Sequence, residues 1–382
     1  MSKKICLAQE YSLVFQVSEG NLFVHDPGMT ILPDGTYLAF VPLWIRGVRE
    51  RLYQKHHVEV LRSKDKGDTW QTICKLPYAE ATPIVVGEDL YLFTQINQHE
   101  NVSFICSHDG GFTWDDPVVV SDLPLWNCQQ NMVIRDNKLY WCMDKYFREV
   151  YAVCCDLEKG IMNPKAWRVS PGVALPEVPQ SLIFGVAQKG WNTPWPGNVV
   201  LESNVVEVEG RMMVISRVVC DEYGTANLAA VFHIEDTDGE LKLTFQQFYP
   251  LPGGQCKFNI VQDPKTKMFW MASNLAVNSL NLIDCHEKLL KTQFNGGPGN
   301  DRRILCLWYS LDALNWVPAG VIAKADTLLQ SFMYPSMVID GEDLIILSRS
   351  AFDSGCQHDA DCATFHRVEN FRSLALDIGL DI

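Results

Sequence analysis

The chain has 382 residues, of which 47% are hydrophobic and 20% are charged, and this balance excludes intrinsic disorder and collagen-like or coiled-coil repeats. At roughly 150 residues per domain, the length fits two or three domains or one large all-β domain. The formal net charge of -14 repels polyanions, and we find no basic patch, so the composition excludes nucleic-acid binding.

The N-terminal segment and the hydropathy indicate where the protein acts. No stretch approaches the roughly 18 consecutive apolar residues of a membrane-spanning helix. The apolar run at residues 5–8 ends at Gln9 and Glu10, which is too short for the core of a secretory signal. We therefore expect a soluble, cytoplasmic protein without a membrane partner, or an exported protein whose signal has been trimmed.

The chain has 13 cysteines, an odd number, and they are scattered through apolar runs. This distribution predicts reduced, buried thiols rather than a disulfide framework. Cys356, His358 and Cys362 are the nearest approach to a metal cluster, but they lack the spacing of a structural zinc site. The sequence thus predicts neither a metal nor a cofactor.

Six segments along the chain share one pattern, in which a short strand, a turn and a very apolar strand follow one another. The turns lie at positions 34, 87, 136, 209, 264 and 340. The first contains Asp34 and Gly35, a dipeptide that is a strong hairpin signal. Intervals of roughly 50 to 75 residues fit one four-stranded sheet per repeat. The pattern predicts a single all-β domain over residues 1–382, a six-bladed β-propeller whose N-terminal strand completes the last blade.

Two segments, at residues 63–70 and 107–114, fit the pattern S-x-D-x-G-x-T-W, and residues 310–316 are a shortened version. In such a hairpin the Asp accepts N–H groups of the turn, the Gly takes a positive φ and the Trp packs between sheets. These segments are similar to the Asp-boxes of BNR repeats. Over essentially its full length, the chain resembles the sialidase-like six-bladed propellers.

The first strand of each propeller blade lines the central channel, so its polar residues point at whatever binds there. The six repeats supply a polar, ionisable ring composed of His25, Glu80 or Thr82, Gln129 or Gln130, Glu202, Lys257 and Tyr334. These residues either form a binding site or only solvate a water-filled channel.

The resemblance to sialidases implies roles for several of these residues. The strand from Glu202 to Arg217 resembles the one that begins with the catalytic Glu of sialidases, and Tyr334 opens the last blade like their nucleophilic Tyr. The resemblance implies that Glu202 takes the proton of Tyr334. It also implies that Arg217 and either Arg302 or Arg303, of which we choose Arg303, hold a substrate carboxylate.

The chain departs from the sialidase pattern at two places. Sialidases open the first blade with Arg-Ile-Pro, whereas this chain has His25, Asp26 and Pro27, so one arginine of the three-arginine clamp is missing. Where sialidases place a catalytic Asp, residues 55–59 offer imidazoles instead. We therefore expect His25 or His57 to be the acid/base, because an imidazole pKa near 6.5 suits proton transfer at neutral pH.

Four further residues are candidates for contacts with a sugar. Lys257 follows a flexible turn, and Gln130 lies in the channel ring, so both are expected to contact the substrate. Trp195 lies in a loop close in sequence to Glu202 and is a candidate for stacking on a sugar face, although loop tryptophans more often pack. Asp359 lies in a polar loop after the last repeat, where it can fold over the pocket.

Together these features predict a sialidase-like glycoside hydrolase whose partner is an oligosaccharide or glycan with an acidic sugar. Two alternatives use the same scaffold. One is a uronate lyase of the type that acts on rhamnose linked to glucuronic acid, since hydrolysis and β-elimination share the same residues. The other is a non-catalytic glycan-binding propeller, because propellers host many unrelated functions. The sequence leaves the sugar, the linkage and the oligomeric state open.

Overall fold

The computed structural model describes residues 6–18, 20–45, 56–182, 199–219, 227–237, 239–277 and 301–376. Within these ranges, the strands form six sheets, and the only helices are the short 3₁₀ segments Pro164–Ala166, Gln180–Leu182 and Phe371–Leu374. None of the helices described is long and apolar enough to cross a membrane. This architecture confirms the prediction of an all-β, six-bladed propeller.

The first three blades follow one another along the chain. Blade 1 consists of β2 (Leu22–Val24), β3 (Gly28–Ile31), β4 (Tyr37–Ile45), β5 (His57–Ser63) and β6 (Gln71–Leu76). Blade 2 consists of β7 (Glu80–Val86), β8 (Asp89–Gln95), β9 (Val102–Ser107) and β10 (Val118–Ser121). Blade 3 consists of β11 (Val133–Arg135), β12 (Lys138–Lys145), β13 (Glu149–Asp156), β14 (Trp167–Val169) and β15 (Val173–Ala174).

The last three blades are each four-stranded. Blade 4 consists of β16 (Val199–Val208), β17 (Arg211–Val219), β18 (Leu228–Thr237) and β19 (Glu240–Pro250). Blade 5 consists of β20 (Asn259–Gln262), β21 (Phe269–Asn274), β22 (Ile304–Ser310) and β23 (Val317–Lys324). Blade 6 consists of β24 (Ser331–Asp340), β25 (Asp343–Ala351), β26 (Cys362–Val368) and the N-terminal strand β1 (Ser12–Gln16).

Every turn identified in the sequence joins the first long hairpin of its blade, which in blade 1 is β3–β4 and in the others the first two strands. The sheets are antiparallel throughout, and the last blade is closed by pairing of β1 with β26, with Ser12 opposite Phe365. The two ends of the described chain therefore meet in one sheet, which removes the free edge that an open ring would leave.

The hydrophobic core is divided among the six interfaces between neighbouring blades. Between blades 3 and 4, for example, Val150 and Ala152 pack with Val214 and Phe232. The five other interfaces each contain a similar cluster. Because both faces of most blades are covered, inner strands such as β4 are buried along almost their whole length, and this explains their continuous apolar sequences.

Polar side chains on the innermost strands link blades 4, 5, 6 and 1 in succession. The amide oxygen of Asn204 in blade 4 accepts a hydrogen bond from the backbone N–H of Ile260 in blade 5 at 3.0 Å. Asn259 in blade 5 accepts one from Met337 in blade 6 at 2.8 Å, and Ser336 makes the equivalent bond to blade 1. These bonds fix the register between blades and hence the positions of the residues that line the channel.

The hairpin at residues 63–70 has the hydrogen bonds expected from its sequence. The Asp65 carboxylate accepts bonds from the hydroxyl of Ser63 and the backbone N–H of Thr69 at 2.8 and 3.0 Å. Gly67 has a φ of 94°, a conformation that favours glycine, and its carbonyl accepts the indole N–H of Trp70 at 3.0 Å. The equivalent hairpin around Asp109 has the same bonds.

Candidate functional site

Charged groups from the start of several blades meet at the centre of the ring. Asp26 from blade 1 and Glu80 from blade 2 interact electrostatically with each other, and Asp26 also interacts with Glu202 and Lys257. Tyr334 from blade 6 interacts with Glu202 and Asp26. All five residues are buried, so the central channel holds a concentrated set of ionisable groups in a low-dielectric environment.

Glu202, Arg217 and Tyr334 form a hydrogen-bonded group across blades 4 and 6. Nη1 of Arg217 lies 3.0 and 2.9 Å from the two carboxylate oxygens of Glu202 and 3.3 Å from the hydroxyl of Tyr334. Nε of Arg217 donates to the carbonyl of Gln255 at 2.8 Å. The guanidinium is therefore held on two sides, and it brings the carboxylate and the phenol to the same nitrogen.

The backbone at Glu202 and Tyr334 is distorted in the same way. The pairing of β16 with β17 shifts between Leu201 and Asn204, so two residues of β16 oppose one of β17. The pairing of β24 with β25 shifts similarly around Tyr334. Glu202 and Tyr334 have φ values of 54° and 50°, in the left-handed region. Such bulges re-aim side chains, and strained non-glycine residues of this kind cluster at functional sites.

Two buried arginines flank the ring of Tyr334. The guanidinium carbons of Arg349 and Arg302 lie 4.8 and 5.4 Å from the ring centroid. Nε of both residues and Nη1 of Arg349 are buried without a hydrogen-bond partner among the residues described. Burial raises the pKa of Tyr334 to about 12, and the charge of Glu202 acts in the same direction. The phenol is therefore protonated at neutral pH, with unsatisfied cationic N–H groups beside it.

Arg349 is held by the loop after β25. It donates to the carbonyl oxygen of His358, and its Nη2 lies 3.3 Å from Nδ1 of that imidazole. Nδ1 of His358 is 2.8 Å from the carboxylate of Asp359. Burial, together with the charge of Arg349, lowers the pKa of His358 to about 3. Asp359 thus reaches the channel through His358 and Arg349.

His25 lies on the blade 1 side of the channel against an aromatic stack. Its ring is 3.8 Å from that of Trp44 with an interplanar angle of 10°, and Trp44 stacks on His56 at 4.9 Å. Burial, together with the nearby charge of Arg349, lowers the pKa of His25 well below its ordinary value. Its neighbour Asp26 has a pKa raised to about 7 by burial, although Arg349 opposes the shift.

His57, the other predicted acid/base, faces a different set of groups from His25. Its Nε2 lies 3.3 Å from the carboxylate of Glu59, which also pairs with Lys75 at 2.7 Å. His56, one residue earlier, is the imidazole on the Trp44 stack. The structure therefore brings His56 rather than His57 beside the residues around His25.

Lys257 and Gln130 donate hydrogen bonds to backbone carbonyls of the two bulges. The buried ammonium of Lys257 donates to the carbonyl of Pro335, the second residue of the bulge that begins at Tyr334. The amide of Gln130 donates to the carbonyl of Glu202 at 2.9 Å. Burial lowers the pKa of Lys257. Both side chains, predicted to contact a sugar, donate hydrogen bonds to backbone oxygens of the two bulges in this structure.

Comparisons with solved structures identify the fold. An alpha-L-arabinanase of Penicillium chrysogenum in complex with arabinobiose has a TM-score of 0.55 and 13% identity, covering 95% of this chain and 98% of the neighbour. A K499G variant of the NanB sialidase of Streptococcus pneumoniae has a TM-score of 0.60 and 10% identity, covering 94% of this chain and 70% of the neighbour. The chain has the sialidase-like propeller fold.

At such identities the similarity concerns the fold alone. A protein of unknown function from Dyadobacter fermentans matches this structure with a TM-score of 0.61 and 12% identity, covering 94% of this chain and 98% of its own. No protein-family profile matches the chain, and no curated protein matches it in sequence. The expected resemblance to sialidase-like propellers is confirmed for the fold.

Within this sialidase-like propeller, the arginine before β22 that faces Tyr334 is Arg302. The adjacent Arg303, which the sequence analysis preferred, pairs through its Nε with both oxygens of Asp301 at 2.9 and 3.0 Å. Adjacent residues of an extended chain point to opposite sides, so only one of the two can face the channel. Trp195 lies outside the described residues.

Arg349 is the functional candidate that the sequence analysis missed. It lies 15 residues after Tyr334, just as Arg217 lies 15 residues after Glu202. Both arginines stand on the second strand of a blade, opposite the residue that precedes the bulge. This shared spacing is a signal that was present in the sequence. With Arg217 and Arg302, Arg349 is the third buried arginine in the channel, although blade 1 opens with His25 where sialidases have an arginine.

Proposed function

We propose that this protein is a glycoside hydrolase that acts in its central channel on a glycan bearing a carboxylate group. The observation that carries the proposal is the environment of Tyr334. Its hydroxyl shares Nη1 of Arg217 with the carboxylate of Glu202. Arg302 and Arg349 flank its ring with N–H groups that have no hydrogen-bond partner among the described residues. A nucleophile, a base and an anion clamp thus meet at one point.

The reaction begins with activation of the phenol. With a pKa of about 12, Tyr334 is a poor nucleophile until a base removes its proton, and Glu202 is the carboxylate nearest in the hydrogen-bonded group. The phenolate oxygen then bonds to the anomeric carbon as the bond to the leaving-group oxygen breaks, and this oxygen takes up a proton and leaves as an alcohol while Glu202 keeps the phenol proton. Hydrolysis of the tyrosyl glycoside by water returns the hydroxyl to Tyr334 and releases the sugar.

A neutral phenol suits a substrate that carries its own negative charge. A carboxylate nucleophile would repel a carboxylate attached near the anomeric carbon, whereas a tyrosine approaches it without charge. Arg302 and Arg349 supply the opposite charge, and guanidinium groups bind carboxylates through two parallel hydrogen bonds. The unpartnered Nε atoms of both arginines are the donors that such a substrate would satisfy.

The proposal is tested with purified protein and three classes of oligosaccharide, namely sialosides, uronic-acid-capped chains and neutral arabino-oligosaccharides. Release of a reducing sugar from either acidic class, abolished in Tyr334→Phe, supports hydrolysis at this site. Ultraviolet absorbance of an unsaturated uronate product would instead assign a lyase. Turnover of the neutral class alone would overturn the carboxylate clamp, and binding without turnover that persists in Tyr334→Phe would assign a binding propeller.

A further inference from the structure

Three side chains of the types that bind metal ions meet in the channel between blades 1 and 2. Nδ1 of His25 lies 3.2 Å from Oδ2 of Asp26 and 3.7 Å from Oε1 of Glu80. The three ligand atoms all lie within 4.8 Å of one another. The exposed fractions of the residues are only 9%, 3% and 1%. The group is therefore preassembled and almost completely shielded from solvent.

Four buried polar atoms of this group have no hydrogen-bond partner among the described residues. Nδ1 of His25, both carboxylate oxygens of Asp26 and Oε1 of Glu80 are buried, and none of them is hydrogen-bonded to any residue in the described part of the chain. Buried polar atoms in folded proteins almost always have a partner. Three of these atoms, Nδ1 of His25, Oδ2 of Asp26 and Oε1 of Glu80, converge on one point, and this indicates a ligand that binds all three together.

We propose that His25, Asp26 and Glu80 bind a divalent transition-metal ion, for which zinc is the best match. Bonds of about 2.0–2.2 Å to a tetrahedral zinc ion place its ligand atoms about 3.3 Å apart. The two carboxylate oxygens lie at similar distances, 3.2 and 3.7 Å, from Nδ1 of His25. An imidazole with two carboxylates suits zinc, whereas calcium and magnesium prefer oxygen ligands alone. Three protein ligands leave a fourth position for water or substrate.

The surroundings hold the ligands in place. Trp44 stacks on the His25 ring and fixes its plane, as outer-shell groups do at metal sites. Nη1 of Arg349 lies 3.8 Å from Oδ1 of Asp26, so this oxygen faces the arginine while Oδ2 faces His25. Arg349 neutralises part of the charge of the two carboxylates, and the ion would supply the remainder. The sequence did not reveal this set of three ligands, because Glu80 comes from a different blade than His25 and Asp26.

The inference is tested by metal binding to the chelator-treated full-length chain. Zinc is titrated in competition with a chromophoric chelator, and we expect one high-affinity equivalent per chain. Glu80→Gln, which keeps the side-chain volume, should weaken binding by at least about 100-fold. Glu59→Gln is the matched control, because Glu59 is also a buried carboxylate of the first two blades but lies outside the group. Equal zinc affinity in Glu80→Gln and wild type would overturn the proposal.

Cysteines and a second group could bind zinc elsewhere, so the test must exclude them. Asp89, Cys106 and His108 also place ligand atoms within reach of one ion, and the titration is therefore repeated in His108→Gln. Cobalt replaces zinc as a spectroscopic probe, and d–d absorption without a thiolate charge-transfer band supports ligation by His25, Asp26 and Glu80. A thiolate band would overturn it. If Glu80→Gln does not fold, a zinc-dependent rise in the melting temperature of wild type that calcium does not reproduce supports the proposal, and no such rise overturns it.

Discussion

Glu202 and Tyr334 occupy the same position in blades 4 and 6, where each is the first residue of a β-bulge with a positive φ, 54° and 50° respectively. In each blade an arginine stands on the neighbouring strand beside the bulge, Arg217 next to Glu202 and Arg349 next to Tyr334. The propeller repeat has thus been used twice to build one site from two blades. The bulges bring Glu202 and Tyr334, the proposed base and nucleophile, to the same nitrogen of Arg217.

The positive φ at Glu202 predicts an unusual order of stability among substitutions. Glu202→Gly is expected to be more stable than Glu202→Ala by about 1 kcal/mol, because glycine alone adopts this conformation without steric strain. Both variants lack the carboxylate, so the difference between their free energies of unfolding reports the backbone strain alone. Urea denaturation measures these free energies. Glu207 lies on the same strand in regular pairing, so Glu207→Ala should be more stable than Glu207→Gly. If alanine were the more stable replacement at both positions, the backbone of Glu202 would not be strained.

Loss of the Tyr334 hydroxyl should abolish turnover with little effect on folding. In Tyr334→Phe the ring still packs between Arg302 and Arg349, so the melting temperature should change little. The kcat should fall by at least about 10³-fold, because the nucleophile is removed. Tyr91→Phe in blade 2 is the control and should keep full activity. Wild-type turnover in Tyr334→Phe would exclude a tyrosyl intermediate.

Because Glu202 and Arg217 form a buried ion pair, we expect substitutions of the two residues to have coupled effects on the free energy of unfolding. Glu202→Gln should lower the free energy of unfolding by about 3–5 kcal/mol, because it leaves the buried guanidinium without its counter-charge. Adding Arg217→Met should restore part of this loss. A double-mutant cycle in urea measures the coupling, and strictly additive effects would show that the two side chains do not depend on each other.

The clamp assignment distinguishes two adjacent arginines. Arg302→Lys and Arg349→Lys should each raise KM for a carboxylate-bearing substrate by about 10- to 100-fold, because lysine cannot reproduce a bidentate contact. Arg303→Lys should change KM less than about threefold, since Arg303 pairs with Asp301 instead of facing Tyr334. Steady-state kinetics of the three variants on the same substrate give the KM values to be compared. A larger effect at Arg303 than at Arg302 would reverse the assignment.

His366 predicts a loss of stability in acid. It is buried between the carbonyl of Ala8 and the hydroxyl of Thr364, and burial lowers its pKa to about 4. The unfolded chain binds the proton near pH 6.5, so stability is complete above that pH. It then falls by on the order of 3 kcal/mol as the pH drops to about 4.

Urea midpoints measured across this pH range test the contribution of His366. His366→Gln should flatten the acid limb of the profile, because glutamine does not take up a proton. The exposed His108 provides the control, and His108→Gln should retain the steep fall in acid. An unchanged acid limb in His366→Gln would assign the fall to other groups.

The sequence by itself determined the fold class and part of the site. The six turns and the apolar strands that follow them are local patterns, and each predicted its hairpin without knowledge of the others. Glu202, Arg217 and Tyr334 were found through the resemblance of the strands that carry them to those of sialidases, and the structure brings them together through one arginine nitrogen. Local hydrogen bonding and side-chain alternation explain why the hairpins could be predicted.

Only the tertiary structure decided which charged groups meet in the channel. It placed Arg302 instead of Arg303 at Tyr334, added Arg349, and set His25 and Asp26 of blade 1 beside a carboxylate of blade 2. Closure of the ring joins residues that are far apart in sequence, and the bulges change the faces to which they point. The interaction between two charges depends on their separation and burial, and both arise only when the six blades close around the channel.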